Sequence, residues 1–186
     1  MVDKLLNLLR GSGSKAPSLD AILNEADKHL TNFSSLVLPT PEAKPRTPFD
    51  SGLPKEKMSM MNISLGQRLK FLSRGLPLFL NMQKSARMYD GKFKASKTQA
   101  SPEFFRELEN LARRAGAKDL AYVKVPRNAI FQGKGIPHEY AIVFTVEMQK
   151  AAIDTSPSFE SQYEVIRGYK NLAIIGNKLA RFMHKN

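Results

Sequence analysis

Apolar and polar positions alternate along this chain with two different periods, and the change of period divides it into elements. Residues 3 to 10 are expected to form a short helix. Gly11-Ser-Gly-Ser-Lys-Ala-Pro17 then breaks the chain before a second helix from about Leu19 to Leu30, capped by Ser18. Between Leu38 and Pro54 five prolines fall in seventeen residues. Proline withholds its amide hydrogen and fixes φ, so that stretch is expected to run extended over a surface or to be mobile. A helical period returns from Ile63 to Tyr89. Leu65, Leu69, Leu72, Leu76 and Phe79 follow at steps of four, three, four and three, while Arg68, Lys70, Arg74, Lys84 and Arg87 lie mainly elsewhere. Gly75 and Pro77 should kink or split this helix near residue 76.

The second half of the chain is patterned more sharply. Ser101-Pro102-Glu103 joins a hydroxyl cap, a proline where no amide hydrogen is needed and a carboxylate at the positive helix end. Phe104, Leu108, Leu111 and Ala115 mark the buried face, and Gly116 supplies the left-handed stop. A strand over Leu120 to Val125 ends at Pro126. A glycine-containing loop, Arg127 to Pro137, leads to a second strand, Tyr140 to Met148, whose run Ala141-Ile-Val-Phe144 predicts burial on both faces of a sheet. Ser156-Pro157 repeats the cap-plus-proline start. The long helix after it carries Phe159, Tyr163, Ile166, Tyr169, Ala173, Gly176, Ala180 and Met183 as one covered face, on which Ala173 and Gly176 would admit a close backbone. The fold class expected is α+β, or a small α/β unit: a helical N-terminal region followed by helix, strand, loop, strand and helix. The organisation expected is a helical and proline-rich extension over 1–60, a basic amphipathic helix and connector over 61–100, and an α/β unit over 101–186.

Charge sharpens this division. Of the net +12, residues 61–100 hold eight basic and one acidic side chain. Zero cysteines exclude disulfides, thiolate nucleophiles and any cysteine-held zinc or iron–sulfur cluster within the chain. The N-terminus is too short and too charged for a secretory h-region, and no run of about 18 apolar residues occurs, so a cytoplasmic protein, peripheral at a membrane at most, is expected.

Candidate chemistry is sparse. In the loop, Gly133 and Gly135 flank Lys134, with Arg127 nearby, a composition that lets amide hydrogens and cations meet an anion such as a phosphate tail. The spacing is not that of a P-loop, and a solvated connection is the more economical reading. Asp154 and Thr155, before the last helix, suit either an anion pocket or simple capping, with capping favoured. His29, His138 and His184 lie too far apart in sequence for a metal motif, and His138 reads as a surface histidine. Tyr163 and Tyr169 suit core packing better than cofactor stacking, and no G-x-S-x-G nucleophile motif occurs.

The segment from Phe104 to Asn186 resembles the start of the conserved region of iron–sulfur proteins related to epoxyqueuosine reductase and corrinoid reductive dehalogenases. The matching elements, in order, are Leu111-Ala-Arg-Arg-Ala-Gly-Ala117, Ala121-Tyr-Val-Lys-Val-Pro126, Tyr140 to Met148, Ile153-Asp-Thr-Ser-Pro-Ser158, and Tyr163 through Arg167-Gly-Tyr169 to Leu179-Ala-Arg-Phe182. The resemblance implies part of a nitroreductase-like core that holds a corrinoid, followed in such proteins by a module whose cysteines bind two [4Fe-4S] clusters. By that resemblance the chain is the N-terminal, cluster-free portion of such a redox protein, and no catalytic residue is carried over to it. It would hold no cofactor alone. A corrinoid would bind with the missing half, clusters would lie only in a C-terminal extension, and the partners implied are that half, another subunit or a self-dimer. A second reading is a non-enzymatic basic adaptor that meets an anionic membrane surface, or less readily nucleic acid, through residues 61–100. A third is a complete small-ligand domain that shares only this arrangement of elements.

Overall fold

The computed structural model describes residues 37–45, 64–88, 99–136 and 138–186. The two helices expected before residue 31, together with Ile63, Tyr89 and His29, lie outside the described residues. Helix α1 spans Leu65–Met88. Helix α2 follows at Pro102–Ala115, strand β1 at Leu120–Lys124, a single 3₁₀ turn at Arg127–Ala129 and strand β2 at Tyr140–Phe144. A one-turn helix α3, Lys150–Ile153, and a long helix α4, Phe159–Lys185, complete the order. The coarse class is α+β: mixed helix with a small antiparallel sheet. The chain divides into two compact units. One comprises Met1–Lys70 with Val125–Glu139, and the other Phe71–Lys124 with Tyr140–Asn186. The loop between the strands therefore groups with the N-terminal segment, although the sequence pattern treated 101–186 as one stretch.

Local signals account for the ends of α2. The Ser101 hydroxyl accepts the Phe104 amide at 3.2 Å, and Gly116 turns at φ 104°, where a side chain would be strained. At α4 the sequence reading is corrected. The cap is Ser158, not Ser156: its hydroxyl accepts the Ser161 amide at 3.0 Å, while the Ser161 hydroxyl accepts the Ser158 amide at 3.2 Å. This reciprocal box satisfies two of the donors that a helix start leaves open. In α1 the helix continues through Pro77, so of the kink or split expected near residue 76 the split does not occur.

The core of the larger unit forms where α2 and α4 meet the sheet. Leu108 and Ile175 are fully buried, and Ala112, Ala117 and Leu179 close around them. Phe104, Leu120, Ile142, Phe144, Val146 and Phe182 pack onto that cluster. β1 and β2 pair antiparallel with Leu120 opposite Phe144 and Tyr122 opposite Ile142. Side chains alternate across a strand, so Leu120, Tyr122, Ile142 and Phe144 face the helices while Ala121, Val123, Ala141 and Val143 face away. Tyr122 confirms the parity, with its ring 5.1 Å from that of Phe105 on α2.

The expectation that β2 would be buried on both faces fails on its outer side, where Val143 keeps 48% of its surface exposed. The run is apolar on both faces, but α2 and α4 cover only one. The face expected to be covered on α4 is also corrected. Tyr169 and Met183 are exposed, and the buried positions are Ser161, Glu164, Gly168, Ile175, Asn177 and Leu179. The tight approach expected at Ala173 and Gly176 occurs instead at Gly168, where an added Cβ would lie 3.3 Å from the Met148 sulfur. Gly176 faces the Phe144 ring at an ordinary contact distance of 3.8 Å.

Candidate functional site

The loop from Arg127 to Ile136 is fastened to the proline-rich segment. Val37 and Ile136 exchange backbone hydrogen bonds at 2.8 and 3.2 Å, and the Gln132 amide donates to the Lys44 carbonyl at 2.9 Å. Arg127 Nε donates to the Leu38 carbonyl at 2.9 Å. Ala43 and Ile130 are buried beneath these contacts. Residues 37–45 are interrupted by a turn at Pro41–Glu42, where the Ala43 amide donates to the Thr40 carbonyl at 3.0 Å, and are held by main-chain pairing that the prolines at 39, 41 and 45 leave possible at Val37 and Lys44.

Within this loop Gly133 sits at φ 72°, a conformation open to glycine at no steric cost. The Lys134 amide closes a turn onto the Phe131 carbonyl at 3.0 Å. Gly135 is buried, Lys134 is half-buried and Arg127 is exposed. The amides of Ala129, Ile130, Gln132, Lys134 and Ile136 are all committed to carbonyls of the chain. Those of Gly133 and Gly135 donate to no described residue. The four candidate residues, Arg127, Gly133, Lys134 and Gly135, therefore lie on one loop. His138 is exposed, and no group of three histidine or carboxylate side chains among the described residues could hold a metal ion.

A second polar cluster, which the sequence pattern does not single out, lies in the other unit. Glu164 on α4 is only 3% exposed at its side chain, yet it is charged. Arg167, one turn further on, straddles it: Nε lies 2.9 and 2.8 Å from the two carboxylate oxygens. The Gln149 amide donates to the same carboxylate at 2.7 Å, and Arg74 of α1 approaches at 3.7 Å. The hydrogen bonds from Arg167 hold the Glu164 carboxyl below the ordinary carboxylate range, with smaller help from the Gln149 amide and the charges of Arg167 and Arg74, all against the opposing effect of burial. Arg167 also ties to the β2–α3 connection by donating to the Glu147 carbonyl at 2.9 Å.

Arg74 links α1 to this cluster. Its guanidinium carbon lies 3.6 Å from the centroid of the Tyr163 ring, and Nη1 donates to the Tyr163 carbonyl at 3.1 Å. Tyr163 stacks on Phe159 at 5.6 Å, and its hydroxyl lies 3.3 Å from that of Ser73. Tyr163 thus packs under a cation, whereas Tyr169 is exposed and not packed as expected. Three turns along, Asn177 is buried and donates to the Asn81 carbonyl at 2.9 Å while accepting from Ser85 at 2.9 Å. Asp154 and Thr155 serve the chain itself: Asp154 pairs with Lys150, and the Thr155 hydroxyl donates to the Ala152 carbonyl at 2.8 Å.

One signal in the sequence could have exposed the cluster. Glu164 falls in the row of Ser161, Gly168, Ile175 and Leu179, where an isolated carboxylate requires a partner, and Arg167 stands three residues on. Comparison of the chain with family models, with curated proteins and with solved structures finds no match in any of the three.

Proposed function

We propose that this chain is the cluster-free, N-terminal portion of a redox protein of the epoxyqueuosine-reductase-like or reductive-dehalogenase-like kind, contributing one wall of a cofactor-binding shell and inactive alone. The observation that carries the reading is the outer face of the sheet. Ala121, Val123, Ala141 and Val143 make that face wholly apolar, with Val143 48% exposed, and among the described residues each strand has one unpaired edge. Two strands suffice for a marginal sheet only, and an apolar face with open edges suits further strands or a second layer. In this reading the unit is part of a nitroreductase-like core, completed by more polypeptide, another subunit or a second copy.

The cofactor implied is a corrinoid, whose electron chemistry belongs to the group itself. The residues fit its anionic appendage rather than its metal. By composition, the loop residues Arg127, Gly133, Lys134 and Gly135 would meet a phosphate-like tail. With no cysteine anywhere in the sequence, electrons from [4Fe-4S] clusters would have to arrive from outside this chain.

Titration of the purified chain with a corrinoid, followed by absorbance and thermal shift, tests this beside a version extended beyond Asn186. A response from the extended version alone is expected. A response from neither overturns the corrinoid reading, and a full response from the chain alone overturns its dependence on completion.

A further inference from the structure

We propose that the outward face of α1 docks on an anionic lipid bilayer, lying in the interface without crossing it. This inference stands on α1 alone and is independent of the redox reading. Leu65, Leu69, Leu76 and Leu80 are 74%, 60%, 42% and 46% exposed, and their steps of four, seven and four place them on one face of the helix. The opposite face carries Arg74, Asn81 and Ser85, which bond to Tyr163, Glu164 and Asn177 of α4, and Ser73 at the margin of the leucine row meets the Tyr163 hydroxyl. The polar seam therefore sets the rotation of α1 from Phe71 onward and turns Leu76 and Leu80 outward.

Charge decides between the possible occupants of that face. α1 has five basic residues, Arg68, Lys70, Arg74, Lys84 and Arg87, and no acidic ones. Arg74 is spent on Glu164 and Tyr163. By helical position the exposed Lys84 flanks the leucine row. A second copy of the helix would set cations against cations, which opposes pairing. A nucleic acid would engage the bases but leave four leucines in water, since binding to single strands draws on aromatic platforms. An anionic bilayer satisfies both sets: leucines enter the boundary between headgroups and acyl chains while the long basic side chains reach lipid phosphates. Among the described residues no helix is long and apolar enough to cross a membrane, so an in-plane position is the one left to α1.

Co-sedimentation of the full chain with phosphatidylcholine vesicles, with and without phosphatidylserine, tests the proposal across a salt series. Binding is expected only with phosphatidylserine and should weaken steeply as salt rises. Leu69→Glu with Leu76→Glu should lower it by more than about tenfold. Lys84→Gln should lower it about fivefold, the effect of one basic residue near such a surface. Both leucines are exposed, so unchanged thermal melting will show that these variants fold. Absence of sedimentation, or equal binding by the double variant, would overturn the proposal. So would a salt-resistant oligomer abolished by the leucine changes, which would assign the face to a second copy, or nucleic-acid binding that the leucine changes leave intact.

Discussion

Helix α4 meets its two neighbours by opposite chemistries. Toward α2 and the sheet it presents Ile175, Leu179 and Phe182, which close on Leu108, Ala112 and Phe104 in a contact made of shape and apolar area. Toward α1 it presents Tyr163, Glu164 and Asn177, which are met by Ser73, Arg74, Asn81 and Ser85. Apolar packing tolerates small rotations of a helix, whereas a buried carboxylate tolerates none that removes its partners. The first contact supplies stability, and the second sets which way α1 faces. That division of labour explains how a helix with a leucine row can stand beside a folded unit and still show the row to solvent.

The comparison breaks most readily at its apolar side. Leu108→Ala removes the side chain at the centre of the α2–α4 contact and should cost about 3 kcal/mol in urea unfolding, as large-to-small changes in closed sites do. A cost below about 1 kcal/mol would show that the cluster around Ile175 is not a packed core. Glu164→Gln comes next. It leaves Arg167 and Arg74 without their anion, and because both guanidinium groups keep some contact with water, about 2 kcal/mol is expected rather than the full loss for a sealed pair. The exposed pair Glu103 and Arg106 offers the control, since breaking it should not measurably change the melting temperature.

The acid limb of stability sharpens the same point. The folded value of Glu164 is lowered, so the stability that it contributes is complete above the ordinary glutamate range near about 4.3 and is lost as pH falls through the lower folded value. Unfolding followed by circular dichroism should show this loss in the parent chain, and Glu164→Gln should flatten that limb. An unchanged acid limb in the variant would mean that other carboxylates govern it. A smaller cost is expected at the α4 start, where Ser158→Ala should lose about 1 kcal/mol by removing one half of the reciprocal cap.

What was legible in the sequence was local. Ser101, Pro102 and Gly116 announced both ends of α2 because capping is decided within a few residues. The two strands were visible as apolar runs, but a run cannot say how many layers will cover it, which is why β2 read as buried on both faces. On α4 the spacing of the aromatic and small residues from Phe159 to Met183 predicts that they form the covered face. The buried row instead includes Ser161, Glu164 and Gly168, whose burial depends on Met148, Gln149 and Arg74 from elsewhere in the chain. A polar residue reads as solvated until its distant partner is known, and both Asn177 and Glu164 have that character. The loop residues Arg127, Gly133, Lys134 and Gly135 were identifiable by composition. That its Gln132 and Ile136 amides would be spent on Lys44 and Val37 followed from a pairing across roughly ninety residues that no local signal carries.

The absence of cysteine from the sequence allows a single thiol to report on the face that carries the functional reading. Val143→Cys places that thiol at the centre of the outer sheet face, and its alkylation rate can be compared in the chain alone and in a version extended beyond Asn186. Rapid labelling in the chain and strong protection in the extended version is the result expected of a wall awaiting its second layer. Equal labelling in both, or a thiol already protected in the monomeric chain, would contradict it.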